Sequence, residues 1–332
     1  MVSVIIVNYN GIDVIQDCMH ALERQTFKDF ETIVVDNGST DGSLEHLNSF
    51  LTGNFFSYPV KTIPLSNNVG FSDGNRQGLR HVNGEFVALL NNDTEPDEGW
   101  LEELVKGINS NQEIGICASK LIAYHSDIID SAGDGYSMVL RGFKIGEGEN
   151  KNVYDNKEFV FGACAGAALY RKKMLDETGF FDENFFLIYE DTDLNFRAQL
   201  AGWKALYVPT AIVHHKVRSS IGNMSDTAIY YSLRNSELVR IKNVPAGIFF
   251  RCLPEYIISV FAEFVYFAIK HKKIRLYFKA KCDALRMFPL MLKKRKAIMK
   301  AKKVSNEHLL GMMTPVWQKD FFKTKTKKFF HG

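Results

Sequence analysis

Along the first two thirds of the chain, short apolar runs alternate with segments whose apolar residues recur at helical spacing. Val2 to Val7 predicts a buried strand, and Ile12, Ile15, Met19 and Leu22 predict the helix after it. Glu31 to Asp36 predicts a second strand, with a helix from about Ser43. Val60 to Leu65 predicts a short third strand, Glu85 to Leu90 a fourth, and Glu98 to Ile108 a helix. Strands and helices that alternate with short connections predict an α/β fold: a mostly parallel, Rossmann-like sheet flanked by helices.

Ile114 to Ile122 predicts another strand. Residues 123–157 are rich in Gly and Asp with weak periodicity, which predicts hairpins and loops. The stretch FVFGACAGAALYRKKML predicts a Gly-punctuated strand entering a helix. In FLIYEDTDLNFRAQLAG a short apolar stretch leads to a helix with an acidic first turn. Trp203 to Val208 predicts a strand ending before Pro209, and a helix over Asp226 to Ile241 closes the domain. Beyond it, Ile248 to Ile269 is rich in Phe, Ile, Tyr and Val but is interrupted by Arg251, Pro254, Glu255 and Glu263. A spanning helix needs about 20 mostly uncharged residues, so this segment fits one poorly. The expected organisation is one α/β domain over 1–242 and a helical, amphipathic extension over 243–332.

Composition sharpens that division. The 332 residues are 46% hydrophobic and 24% charged, as globular chains are. The formal net charge of +3 conceals an asymmetry, because residues 270–303 hold fourteen Lys and Arg against one acid, Asp283. That segment carries +13 and the remainder −10. Its basic residues are interleaved with Ile, Leu, Met and Phe, which suits a helix lying in a membrane interface against anionic lipid. Nucleic acid is not expected as a partner, because the interleaving is mostly aliphatic rather than aromatic. An ordinary helical cap or oligomer contact is the plainer alternative. The five cysteines are scattered, odd in number and without a C-x-x-C pair, which fits reduced thiols. The chain starts on a strand with no basic leader, so a cytoplasmic protein, peripheral on the inner face of the cell membrane, is expected.

Polar residues collect where predicted strands end. Asp36 closes the second strand in VVDNGSTDGS, where open α/β sheets bind ligands. It suits a base or ribose contact, or a turn, with Asp41 capping the next helix. The loop NNVGFSDGNRQGL, with Asn68, Gly70, Asn75 and Arg76, suits a phosphate cradle at a helix N-terminus or an ordinary loop. Asn92 and Asp93 follow the fourth strand, where Asp93 suits a divalent cation on a diphosphate or an Asx turn before Pro96. Glu190, Asp191 and Asp193 crowd a helix start; Asp191 suits a general base, although acids also stabilise helix N-termini. Of His214 and His215, neighbours on extended chain, at most one is expected to face a metal; His214 is the candidate.

In this order the motifs resemble family 2 glycosyltransferases of the GT-A fold over about residues 1–242, closest to their rhamnosyltransferase-like branch. VSVIIVNYNG is similar to the family's opening strand, which implies a nucleobase packed on Tyr9 beside Val7. VVDNGSTDGS is similar to its base-binding turn, implying that Asp36 contacts the base. LLNNDT stands where the family has D-x-D, implying a metal on Asp93 although the first carboxylate is replaced by Asn91. The ED of YEDTDL implies that Asp191 is the base. Gly74-Asn75-Arg76 stands where Ala-Arg-Asn is common, and the Q-x-x-R-W signature of processive synthases is missing, implying one sugar per encounter.

The resemblance implies an inverting hexosyltransferase dependent on Mg²⁺ or Mn²⁺. Its donor would be a nucleotide-diphosphate sugar, with dTDP-L-rhamnose the first choice. Its acceptor would be a glycan or polyprenyl-diphosphate-linked glycan of polysaccharide or cell-wall assembly. Two other classes stand beside it. A sugar-nucleotide nucleotidyltransferase needs a cationic Gly-rich loop after the first strand, and NYNGID has no cation. A non-catalytic membrane scaffold would lack the base, and Asp191 is present.

Overall fold

The computed structural model describes residues 1–52, 56–216 and 225–315. The first half runs β1 (Val2–Asn8), α1 (Ile15–Glu23), β2 (Phe30–Asp36), α2 (Ser43–Thr52), β3 (Val60–Pro64), α3 (Gly70–Leu79), β4 (Phe86–Leu90), β5 (Thr94–Pro96) and α4 (Trp100–Asn109). Then come β6 (Ile114–Ala123), β7 (Ile129–Ser131), β8 (Asp134–Ser137), β9 (Arg141–Lys144), β10 (Glu158–Val160), β11 (Ala167–Arg171), α5 (Lys172–Thr178), α6 (Glu190–Leu200) and β12 (Lys204–His215). The rest is helical: α7 (Asp226–Asn243), α8 (Ala246–Arg251), α9 (Leu253–Glu263), a π-helical segment (Phe264–Lys270), α10 (Ile274–Arg286), α11 (Phe288–Ala301) and α12 (Asn306–Met312).

The main sheet follows the order β10-β12-β6-β11-β4-β1-β2-β3. β1 pairs in parallel with both β2 and β4, and β3 in parallel with β2, which gives the expected nucleotide-binding half. β11 enters antiparallel between β4 and β6, while β12 runs parallel to β6. Alternate residues serve opposite faces of the sheet. Val4, Ile6, Ala88 and Leu90 join one core cluster, while Ile5, Val87 and Leu89 join the other. Strands buried on both faces therefore look continuously apolar rather than alternating.

One expectation changes. β12 does not stop before Pro209 but continues to His215. Its register with β6 shifts between Val208 and Ile212, and such an irregularity accommodates a proline that lacks a ladder donor. The C-terminal helices also pack against the sheet domain. Val244, Ile248, Cys252, Ala284, Met291 and Leu309 share one apolar cluster with Tyr136, Phe161, Phe185 and Phe196. Pro254 sits in the first turn of α9, where its missing N–H costs nothing. Among the described residues no helix is long and apolar enough to cross a membrane.

Candidate active site

The parallel strands β1, β2 and β4 end at one edge, and the chain places its polar residues there. Asn8 organises this edge from a fully buried position. Its Nδ2 donates to Ser43 Oγ at 2.9 Å and Asp36 Oδ1 at 3.2 Å, and its Oδ1 accepts from Asn92 Nδ2 at 2.8 Å. Asn37 ties the next loop down, donating from Nδ2 to Asn68 Oδ1 at 3.1 Å and the Gly70 carbonyl at 3.2 Å. Gly70 has φ +87°, and a Cβ there would come within 2.5 Å of the Phe186 carbonyl, so the close approach requires glycine. A cavity of about 720 Å³ opens above this edge, lined by Val7, Tyr9, Asn68, Gly70, Asn92 and Asp93 on the strand side.

Asp93 meets a histidine through strand pairing. β5 runs antiparallel to the end of β12, with Thr94 opposite His215 and Glu95 opposite His214. His215 turns to the cavity, its Nε2 3.4 Å from Asp93 Oδ1 and its Nδ1 2.9 Å from Asp130 Oδ2. Burial opposes charge on this ring, yet Asp130 and Asp93 push its pKa up to about 9. Asp130 is buried as well, but His215 and Lys144 hold its carboxyl well below the usual range. His214 points to the other side of the strand, 3.3 Å from Asp97 Oδ1, outside the cavity lining. Period-two alternation thus gives the cavity one histidine, as expected, and it is His215 rather than His214.

The cavity is also lined by three crowded carboxyls: Asp134, Glu190 and Asp191. Burial, then the Asp191 charge, raises both Asp134 and Glu190 well above ordinary carboxyl values. Burial raises Asp191 too, but its oxygens accept N–H bonds from Ala165 at 3.3 Å and Thr192 at 2.6 Å. Backbone donors favour the charged form, so Asp191 is the carboxyl best placed to hold the shared negative charge. Glu190 Oε2 is buried without a hydrogen-bond partner among the described residues. Lys144 donates to both oxygens of Asp130, at 2.8 and 2.9 Å, and lines the cavity.

α6 delivers Glu190 and Asp191 through a turn in which Ile188 and Tyr189 have φ +65° and +74°. Left-handed backbone is unfavourable for a β-branched residue such as Ile188. Asn235 of α7, fully buried, donates from Nδ2 to the Leu187 and Ile188 carbonyls at 2.9 and 2.7 Å and fixes the turn.

Of the residues singled out in the sequence, Val7, Tyr9, Asn68, Gly70, Asn92, Asp93 and Asp191 line this one cavity. Asp36, Asn75 and Arg76 are not among its lining residues. Asp36 accepts from Asn8 and from Ser39 N–H at 3.1 Å, bracing its own turn. Asn75 donates back to the Phe71 carbonyl at 2.9 Å within α3. Arg76 pairs with Asp73 at 2.6 Å and Glu183 at 3.4 Å. Asn8, Asn37, Asp130, Asp134 and Lys144 were not anticipated. The two asparagines follow apolar strands and were legible as strand-end polar groups. The other three lie in the weakly periodic 123–157 segment, which offers no spacing signal.

The donor set facing the cavity suits a hard divalent ion on a diphosphate. Such an ion takes few protein ligands when phosphate oxygens complete its shell. Asp93 and the Asp130-oriented His215 supply a carboxylate and an imidazole whose far nitrogen is held by a second carboxylate, a common support for metal-bound histidine. Among the described residues no cluster of three His, Cys, Asp or Glu groups forms a complete protein cage.

Comparison with known proteins agrees with this architecture. The sequence profile of Glycosyl transferase family 2 matches residues 3–179, more than half the chain. Glycosyltransferase GlyA of Streptococcus pneumoniae is 24% identical over 235 residues, 65% of this chain and 30% of that protein. The N-acetylglucosaminyl-diphospho-decaprenol L-rhamnosyltransferase of Mycobacterium tuberculosis is 23% identical over 245 residues, 66% of this chain and 78% of that protein. The chain thus spans less than a third of the first of these relatives. Among solved structures, GalNAc-T7 with UDP, GalNAc and Mn²⁺ superposes with a TM-score of 0.61 at 17% identity, over 73% of this chain and 48% of that one. With its GT-A α/β architecture and a profile match over residues 3–179, this chain belongs to glycosyl transferase family 2.

Proposed function

We propose that this protein transfers one sugar, with inversion, from a nucleotide-diphosphate sugar to a hydroxyl of a glycan or polyprenyl-diphosphate-linked acceptor. The observation that carries the reading is one cavity lined by Asp93, His215 and Asp191 together. Tyr9 and Val7 offer an aromatic and an aliphatic surface to a base at the strand edge. Asp93 and His215 would hold Mg²⁺ or Mn²⁺, which when bound neutralises charge on the departing diphosphate. Asp191 accepts the proton of the acceptor hydroxyl as that oxygen forms a bond to the anomeric carbon. The bond from that carbon to the diphosphate oxygen breaks on the opposite side, and the nucleoside diphosphate leaves with the electron pair. Lys144 and Asp134 lie close enough to Asp191 for charges to act between them, and positioned charges of this kind bear on the proton transfer.

A dTDP-L-rhamnose donor is the first choice, supported by the rhamnosyltransferase relative at 23% identity; UDP-hexoses come next. The same relative's polyprenyl-linked acceptor supports a role in polysaccharide or cell-wall assembly at the cytoplasmic face of a membrane. In this reading residues 1–242 carry the transfer chemistry, and the extension from 243 braces the site and meets the membrane.

The test is a donor screen on the full chain, following nucleoside-diphosphate release and the anomeric configuration of the product by NMR. One donor should turn over with acceptor and Mn²⁺ or Mg²⁺ and stop in EDTA, giving an inverted product. A retained anomeric configuration, or full activity in EDTA, would overturn the mechanism.

A further inference from the structure

We propose that α9, the π-helical segment, α10 and α11 form a docking face that lies flat on an anionic lipid bilayer. Docking itself stands apart from sugar transfer; only its use in presenting a lipid-linked acceptor rests on the reading above.

The first observation is where apolar side chains are exposed. Among the described residues, eleven of the eighteen large exposed hydrophobics fall between Phe250 and Leu292. Phe250, Phe261 and Leu285 are each 68–69% exposed. Such a concentration of exposed apolar side chains in neighbouring helices marks an interaction site.

The second is its angular layout. In α10 the exposed Ile274, Phe278 and Leu285 are four and eleven positions apart, within about 40° of one another around the helix. Tyr277, Ala280 and Ala284 form a separate, buried stripe. Arg275, Lys279 and Arg286 each follow one exposed apolar residue and lie about 100° further round, away from that buried stripe. α11 shows a similar layout, with exposed Phe288 and Leu292, buried Met291, and Lys293, Lys296 and Lys300 on the basic side, while the exposed Leu290 lies beyond the lysines. Each helix therefore has one stripe for the protein, one apolar stripe outside, and a basic stripe beside it. That is the profile of a helix seated at the headgroup boundary.

Charge selects the occupant. Residues 270–303 carry +13 and the remainder of the chain −10, so an anionic bilayer attracts the extension and repels the rest. A second copy would bring two such basic faces together.

The face is also mechanically close to the cavity. Ser225, the N-cap of α7, and Thr227 in its first turn line the cavity. Further along α7, Ile229 and Leu233 pack on Ala268, Tyr277 and Ala280 of the docking helices. A lipid-linked acceptor would meet the protein on the side where α7 enters the site.

The experiment uses the full chain, sedimented with vesicles of phosphatidylcholine alone or mixed with phosphatidylglycerol. Wild type should pellet with the anionic vesicles and release in high salt. Two variants alter exposed residues only: Phe261→Ser with Leu285→Ser, and Arg275→Glu with Lys296→Glu. Each pair should weaken binding by at least about tenfold, with unchanged thermal unfolding. Three results would overturn the proposal: wild type left in the supernatant, variants that bind as wild type does, or a dimer that the apolar variant splits. None of these readouts involves sugar transfer, so failure here leaves the proposed reaction untouched.

Discussion

The side-chain amide of Asn235 donates to the Ile188 carbonyl at 2.7 Å, and this bond restrains a turn whose backbone is left-handed at two successive non-glycine residues. Each such residue costs about 1–3 kcal/mol and persists only where neighbours fix it. The turn ends at Glu190 and Asp191, so Asn235 is a positioning residue for the proposed base.

Asn235→Ala should therefore lower kcat by about tenfold or more, since small misplacement of a reacting group is costly. The donor KM should change little, because Asp93 and His215 are untouched. Steady-state kinetics with varied donor separate the two. A lower melting temperature with normal kcat would reduce Asn235 to a structural role.

The two adjacent histidines should behave differently. His215→Ala should sharply weaken Mn²⁺ binding measured by titration calorimetry, and His214→Ala should leave it unchanged. Asp130→Ala, which removes the carboxylate on His215 Nδ1, should cost about 10–100-fold in metal affinity. A metal affinity that depends on His214 would reverse this assignment.

Burial raises Asp191, and the proposed base must be ionised to work. Activity should fall as pH drops through that raised value, above the ordinary Asp value of about 3.9. Asp191 holds the shared charge and Asp134 is already neutral where Asp191 titrates, so Asp134→Asn should leave the acid limb of the pH–rate profile in place. A limb within the ordinary carboxyl range would remove Asp191 from that role.

Lys242 joins Asp182 and Asp193, with all three side chains buried, and Lys294 of α11 adds a second cation to Asp182. Lys242→Met would leave buried carboxylates underpaired, at about 3–5 kcal/mol. Burial works against charge on Asp182 and Asp193, but Lys242 together with Lys294 on Asp182 and Arg197 on Asp193 outweighs it and lowers both. In wild type their contribution is therefore present above the unfolded carboxyl pKa and fades as pH falls through the folded values. Denaturant unfolding should show the variant's deficit shrinking in acid. A deficit constant with pH would contradict the ion-pair account.

The parallel half of the fold was legible because its strands are continuously apolar and end on polar residues. Asp93 and Asp191 were visible for the same reason: each closes an apolar stretch at the sheet edge or at a helix start. The choice between His214 and His215 was not, since it depends on β5–β12 register and on which face of β12 meets the cavity. Asp130, Asp134 and Lys144 lie on short strands without periodicity, and only tertiary pairing brings them to Asp191 and His215. The extension looked like an appendage from its charge, but its buried stripe is sparse in sequence, so its packing on Tyr136 and Phe196 was hidden.

The most direct measurement is single-turnover transfer by Asp191→Asn, with donor affinity measured on the same protein. The substitution keeps the side chain's size and removes the proton acceptor. The account predicts transfer slower by about 10²-fold or more, with donor affinity close to wild type. Transfer at near wild-type rate would contradict it and direct attention to Glu190, whose buried Oε2 lacks a hydrogen-bond partner among the described residues.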